Sequence, residues 1–144
     1  MELYTTVNIA MSADKIQRYI NMSSLHELCA SVKEVYAREG NRALIECIFG
    51  NHHVHRENIQ QGVRFSFTDD SYALQWTITA SEPLADSVFI HCTVNCVECE
   101  EDFIELIHKF LADWDQGLKA WEVRQLEQQN KVCVSCGDTF GGFG

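Results

Sequence analysis

The segment from residue 51 to 57 (Asn-His-His-Val-His-Arg-Glu) is the densest group of side chains that could do chemistry. On a strand, alternate side chains point to opposite faces, so His53 and His55 share a face with Glu57. The other face carries His52, Val54 and Arg56. An imidazole can act as acid or base near neutral pH, which suits enolisation, aldol closure or dehydration. We therefore predict His53 and His55 as catalytic residues if their face meets a ligand.

Two other interpretations of these histidines stay open. They can lie on a polar strand on the outside of a sheet, since strand position alone does not create a site. His-x-His on a strand is also common in metal sites, but no further ligand is tied to this pair by spacing.

Two Cys-x-x-Cys pairs, Cys96 with Cys99 and Cys133 with Cys136, are a possible four-cysteine zinc site. A helix predicted between them would hold the pairs ~40 Å apart by its rise per residue. A zinc ion bound by both pairs would need a break in this helix near Gly117, or a homodimer of two antiparallel chains. We therefore expect no metal or cofactor in a single chain. With no export signal at the N-terminus, we expect reduced thiols and a cytoplasmic location.

Apolar and aromatic side chains supply the candidate ligand contacts, because pockets for small molecules are mostly apolar. The candidates are Phe49, Phe65, Phe67, Tyr72, Trp76, Cys92, Phe110 and Trp114. Tyr72 and Trp76 are the stronger candidates, since each carries a polar atom that needs a partner when buried. The alternative is that these side chains only pack a core, and Cys92 fits a small core residue.

The elements that must position these residues follow from periodicity. Residues 2–10 predict a strand, Ser12 is a helix N-cap, and a second short helix is predicted over 23–30. A period-two pattern then predicts six strands joined by short turns, which favours an antiparallel meander. They are predicted over 32–38, 42–49, 52–60, 63–68, 71–79 and 86–95. Apolar residues at spacings of three and four predict a long helix from Glu101 to about Gln128.

Length and composition predict one globular domain. The 144 residues form a domain over 1–130, followed by a flexible tail over 131–144 that contains cysteine and glycine. The net charge of −10 makes nucleic acid an unfavourable partner. No apolar run approaches the ~18 residues that a membrane span needs.

The order of strand, two short helices, six strands and long helix resembles the START-like superfamily over residues 2–128. Residues 7–16 (Val-Asn-Ile-Ala-Met-Ser-Ala-Asp-Lys-Ile) look like the opening strand and capped helix of that superfamily, and Leu28 to Val35 looks like its passage into the second strand. The resemblance implies an α+β helix-grip fold, with a seven-stranded curved antiparallel sheet around the C-terminal helix. It also implies an internal cavity for a small hydrophobic ligand.

Two functions follow from this resemblance. One is a cofactor-independent enzyme similar to the polyketide cyclase/dehydratase (SRPBCC) proteins, in which His53 and His55 move protons. The other is a non-catalytic carrier of a lipid or quinone. A cyclase needs two or more titratable groups within reach of one ligand atom, whereas a carrier needs an apolar site with one polar anchor.

Overall fold

The computed structural model describes residues 1–141, with side chains described for residues 1–129. The helices are α1 (Ala13–Tyr19), a 3₁₀ turn (Met22–Ser24), α2 (Leu25–Leu28) and α3 (Glu101–Gly141). The strands are β1 (Glu2–Val7), β2 (Val32–Glu39), β3 (Arg42–Cys47), β4 (Gly50–Ile59), β5 (Gly62–Phe67), β6 (Gln75–Ala80) and β7 (Val88–Thr93).

The seven strands form one antiparallel sheet in the order β1-β7-β6-β5-β4-β3-β2. Five consecutive hairpins build the meander from β2 to β7, and β1 pairs with β7 at the far edge. The predicted seven-stranded antiparallel sheet with a long C-terminal helix is confirmed.

Local capping explains where the short helices begin. The Ser12 hydroxyl accepts a hydrogen bond from the Lys15 N–H at 3.2 Å, as an N-cap does. The Asn21 side chain accepts from the N–H groups of Ser23 and Ser24, and the Ser24 hydroxyl accepts from the Asn21 N–H at 3.1 Å. This reciprocal pair starts the 3₁₀ turn and turns the chain towards β2.

Two boundaries differ most from the sequence prediction. The strand predicted over 71–79 begins only at Gln75, because Ala73 has a φ of +48° and the Ala73 N–H bonds to the Asp70 carbonyl in a turn. The long helix continues past Gln128 to Gly141. The buried apolar face of the helix ends before Gln128, since Val123 and Leu126 are exposed. The flexible tail predicted over 131–144 falls on residues whose side chains lie outside the described ones.

Helix α3 packs on the concave side of the sheet and holds the core together. Phe110, Trp114 and Leu118 on α3 are fully buried. At Gly117 the helix lies so close to α2 that a Cβ atom would overlap the carbonyl oxygen of Leu28. One turn earlier, the Ser31 hydroxyl donates to Asp113 Oδ2 at 2.5 Å. Within the described residues, no helix is both long enough and apolar enough to cross a membrane.

We predict that Gly117→Ala lowers the free energy of unfolding by about 2–3 kcal/mol, because the added methyl group meets backbone that cannot rotate away. The control is Gln116→Ala at the adjacent exposed position, which should stay within about 0.5 kcal/mol of the parent. Urea unfolding followed by circular dichroism measures both. Equal stabilities for the two variants would contradict the close approach of α3 to α2.

Candidate ligand-binding site

His53 and His55 of β4 do not point to the inner face of the sheet, as the catalytic hypothesis requires. Val54 and Arg56 are the buried side chains of this part of β4, at 1% and 8% exposure. His53 and His55 therefore lie on the opposite, outward face, and the His53 side chain is 65% exposed. The expectation that these two imidazoles face the ligand is wrong. Val54 packs in the core, and side chains alternate along the strand, so both neighbours of Val54 point outward.

His52 is the histidine that lies on the inner face, beside the aromatic residues. Its ring stacks on Phe67 at 4.5 Å between centroids, with an interplanar angle of 13°. Its Nδ1 lies 3.1 Å from Asp69 Oδ1, and its Nε2 lies 3.0 Å from the Phe49 carbonyl oxygen. Both ring nitrogens therefore lie within hydrogen-bond distance of an oxygen acceptor. The sequence signal for His52 was its shared face with Val54.

Asp69 joins the two adjacent histidines to the β5–β6 turn. Its Oδ2 accepts from the His53 N–H at 2.9 Å and lies 2.8 Å from His53 Nδ1. Burial raises the pKa of Asp69, but the bonds from His53 and His52 outweigh burial and lower that pKa to about 2. The carboxylate thus fixes the orientation of His52 from outside the ligand site.

An open pocket of about 250 Å³ lies where the β3–β4 turn, the β5–β6 turn and the start of α3 meet. We call it the mouth; its lining residues are Ile48, Phe49, His52, Asp70, Tyr72, Phe103 and Leu106. Tyr72 stacks on Phe103 at 4.9 Å and is 41% exposed. Tyr72 is therefore a residue of the rim, and not the buried strand residue that the sequence predicted.

Behind the mouth, the predicted ligand-contacting rings pack against one another. We call this set the aromatic cluster: Phe49, Phe65, Phe67, Trp76, Phe103, Phe110 and Trp114. The Phe49 ring is 5.4 Å from Phe110, and the Phe110 ring is 4.9 Å from Trp76. Rings that were expected to line an open cavity are thus in mutual contact. The mouth lies at the outer end of the aromatic cluster.

Two polar atoms in this apolar interior have no partner among the described residues. The indole N–H groups of Trp76 and Trp114 are fully buried, and neither donates a hydrogen bond to a described residue. An unsatisfied buried donor costs about 1–3 kcal/mol, so each of these groups needs explaining. The two rings are linked through Phe65, which stacks on Trp76 at 5.1 Å and lies 6.4 Å from Trp114.

The buried thiols are poor nucleophiles. Burial raises the pKa of Cys92 to about 12, and it does the same for Cys29. Each thiol therefore stays protonated at neutral pH. Cys92 is fully buried on the inner face of β7, which fits the core residue that its sequence context suggested.

The first Cys-x-x-Cys pair forms a disulfide between Cys96 and Cys99 in the β7–α3 loop, with a Cα–Cα distance of 6.2 Å. The expectation that all thiols are reduced is wrong for this pair, because two intervening residues leave the sulfurs within bonding reach. Cys133 and Cys136 lie outside the described side chains. Within residues 1–129, no three His, Cys, Asp or Glu side chains converge on a point where a metal could sit.

A solved structure of a START superfamily protein from Mycobacterium smegmatis matches this chain with a TM-score of 0.63. The match covers 87% of this chain and 98% of that chain, at 14% sequence identity. This chain has the START-like helix-grip fold. No protein-family model and no curated protein sequence matches it. At this identity the likeness establishes the helix-grip architecture, and function must be argued from the site itself.

We predict that Asp69→Asn destabilises the helix-grip domain in a pH-dependent way. The folded-state pKa of about 2 lies below the ordinary value of 3.8, so ionised Asp69 adds stability above pH 3.8 that is lost as the pH falls towards 2. The difference in melting temperature between parent and variant should therefore shrink across that window.

The control is Asp70→Asn, because neither histidine contacts Asp70 in the described structure. Thermal melts of the three proteins between pH 6 and pH 2 make the comparison. A parent–Asp69→Asn difference that stays constant with pH would show that the histidine contacts do not stabilise the ionised carboxylate.

Proposed function

We propose that this protein binds a small apolar molecule that carries at least one hydrogen-bond acceptor, such as a ketone or quinone oxygen. The observation that carries the proposal is the pair of buried indole donors, Trp76 and Trp114, that have no acceptor. A ligand oxygen placed beside either N–H would remove its desolvation cost. A purely apolar ligand would leave that cost in place.

The mouth offers a route to these donors. Phe49 lines the mouth, and its ring also contacts Phe67 at 6.1 Å and Phe110 at 5.4 Å. Phe49 and Phe103 are only partly buried, so their rings can turn outward at lower cost than the buried rings behind them. A ligand that replaced these two rings would next meet Phe67, Phe110 and then Trp76.

Contact between the rings of the aromatic cluster fits such a route. When side chains must rotate to open a site, the apparent affinity for the ligand is the intrinsic affinity reduced by the free-energy cost of that opening. The aromatic rings would stack against a flat ligand, and the indole donors would fix its orientation. A quinone or an aromatic ketone combines both features.

The site favours a carrier over an enzyme. His52 is the inward-facing histidine, and both of its ring nitrogens already lie within hydrogen-bond distance of acceptors. A ligand could therefore reach either nitrogen only by displacing a contact that His52 already makes. The protonated thiol of Cys92 offers no nucleophile either. The cyclase/dehydratase alternative would need Asp70 or Tyr72 of the mouth as its second titratable group.

The test is binding of octan-2-one and of octane, two probes that match in length and differ in the acceptor. We expect the ketone to bind about tenfold more tightly, because one formerly unsatisfied donor gains its bond. In ¹H–¹⁵N spectra, the indole N–H signals of Trp76 and Trp114 should move with the ketone and much less with the alkane.

The third tryptophan, Trp121, is the internal control, because its ring lies 5.1 Å from Tyr19 at an interplanar angle of 51°, outside the aromatic cluster. Phe49→Ala should strengthen binding of both probes, since it removes a ring that must move. Equal affinities for ketone and alkane, with Trp76 and Trp114 signals unmoved, would overturn the proposed function.

A further inference from the structure

Arg56 is a buried cation on the inner face of β4. It is 8% exposed, and its guanidinium reaches the C-terminal end of α1. Nε donates to the Ile20 carbonyl at 3.0 Å, and Nη2 donates to the Gln17 carbonyl at 2.7 Å. These bonds satisfy two α1 carbonyls, and a positive charge suits the end of a helix.

Capping α1 does not account for the whole guanidinium. A guanidinium has five N–H donors, so three remain after the two bonds to α1. Among the described residues, only the two indole nitrogens are both fully enclosed and without a partner. Nη1 of Arg56 makes no hydrogen bond to the described residues and is not one of these enclosed atoms, so it reaches an opening.

The charge of Arg56 also lacks a counterion. No described carboxylate lies within ion-pair distance of Arg56, although the chain has 21 acidic residues. Burial alone lowers the pKa of Arg56. A buried charge that is not paired is costly, so its retention points to a partner of opposite sign.

The opening beside Arg56 is a pocket of about 290 Å³ between the 3₁₀ turn and the β2–β3 hairpin. We call it the Arg56 pocket; it is lined by Asn21, Met22, Ser23, Arg38, Gly40, Asn41 and Arg56. It shares no residue with the mouth. Its lining carries two arginines and no acidic side chain, so its charge is opposite to that of the whole chain.

A bulge in β2 turns Arg38 towards this pocket. The β2–β3 register shifts between Tyr36 and Glu39, and Ala37 within the bulge has a φ of +43°. That backbone conformation costs roughly 1–2 kcal/mol for a residue with a side chain. Bulges re-aim side chains, and this one sets Arg38 beside the same opening as Arg56. Arg38, like Arg56, has no carboxylate within ion-pair distance among the described residues.

We propose that the Arg56 pocket binds a small oxyanion, the phosphate group of free phosphate or of a phosphomonoester, between Arg38 and Arg56. Guanidinium groups hold phosphate oxygens through paired, charge-assisted hydrogen bonds. The side chains of Ser23 and Asn41 at the rim add neutral polar groups. The bound anion supplies the counterion that Arg56 lacks.

Titration of the purified protein with inorganic phosphate, followed by ³¹P NMR and calorimetry, tests the proposal. Arg38→Gln carries the test, because Arg38 is exposed and makes no bond to α1. We expect saturable binding to the parent protein and about tenfold weaker binding to Arg38→Gln. Arg56→Lys keeps the charge but loses the planar fork, and it should weaken binding by a similar factor.

Arg124→Gln is the matched control, because it removes the same charge from an exposed position on α3 and should leave phosphate affinity unchanged. A parallel titration with glycerol 3-phosphate distinguishes free phosphate from a phosphomonoester, since the tighter of the two identifies the source. Absence of saturable binding of either compound, or equal losses in Arg38→Gln and Arg124→Gln, would overturn the site. Either result leaves the ligand proposed for the mouth untouched, because the two sites share no residue.

Discussion

The close approach of α3 to the backbone of Leu28 at Gly117 determines how deep the long helix lies in the sheet. The buried bond from Ser31 to Asp113 holds the helix one turn earlier. With the helix held there, Phe110 and Trp114 must project into the concave face and meet the rings of β5 and β6. The space left over lies at the N-terminal end of α3, where Phe103 and the mouth are found. The position of the proposed ligand site thus depends on a contact made fourteen residues further along the helix.

Strand β4 links the two proposed sites through one inner face. His52 at one end lies in the mouth, Val54 packs in the core, and Arg56 at the other end reaches α1 and the Arg56 pocket. Both proposals rest on the same physical reasoning, since a donor or a charge removed from water is costly unless something pairs with it. The indole groups of Trp76 and Trp114 lack an acceptor, and the guanidinium of Arg56 lacks a counterion. A neutral acceptor would pair with the indole donors, and an anion would pair with the guanidinium.

The helix-grip architecture leaves these questions of function open, because one architecture can support many unrelated activities. The chemistry here depends on details that differ between chains of the same shape. His52 is held by acceptors on both nitrogens, and the buried thiols remain protonated. These features support our proposal of a binding protein over one that transfers protons. The charge contrast around the Arg56 pocket is likewise a local property, set by a strained bulge at Ala37 in a chain of net charge −10.

Local sequence determined the elements of this protein, because capping residues, turns and period-two alternation act within a few neighbouring residues. Ser12 starts α1, and the strands lie close to their predicted bounds. Tertiary structure decided which face of β4 is buried, since the alternation of residues 52–57 allows either and only packing of Val54 against the core selects one. It also moved Tyr72 to the rim through the turn at Ala73. Partner choice in the core depends on residues distant in sequence. Spacing alone therefore could not reveal that, among the described residues, the indoles of Trp76 and Trp114 lack an acceptor and Arg56 lacks a counterion.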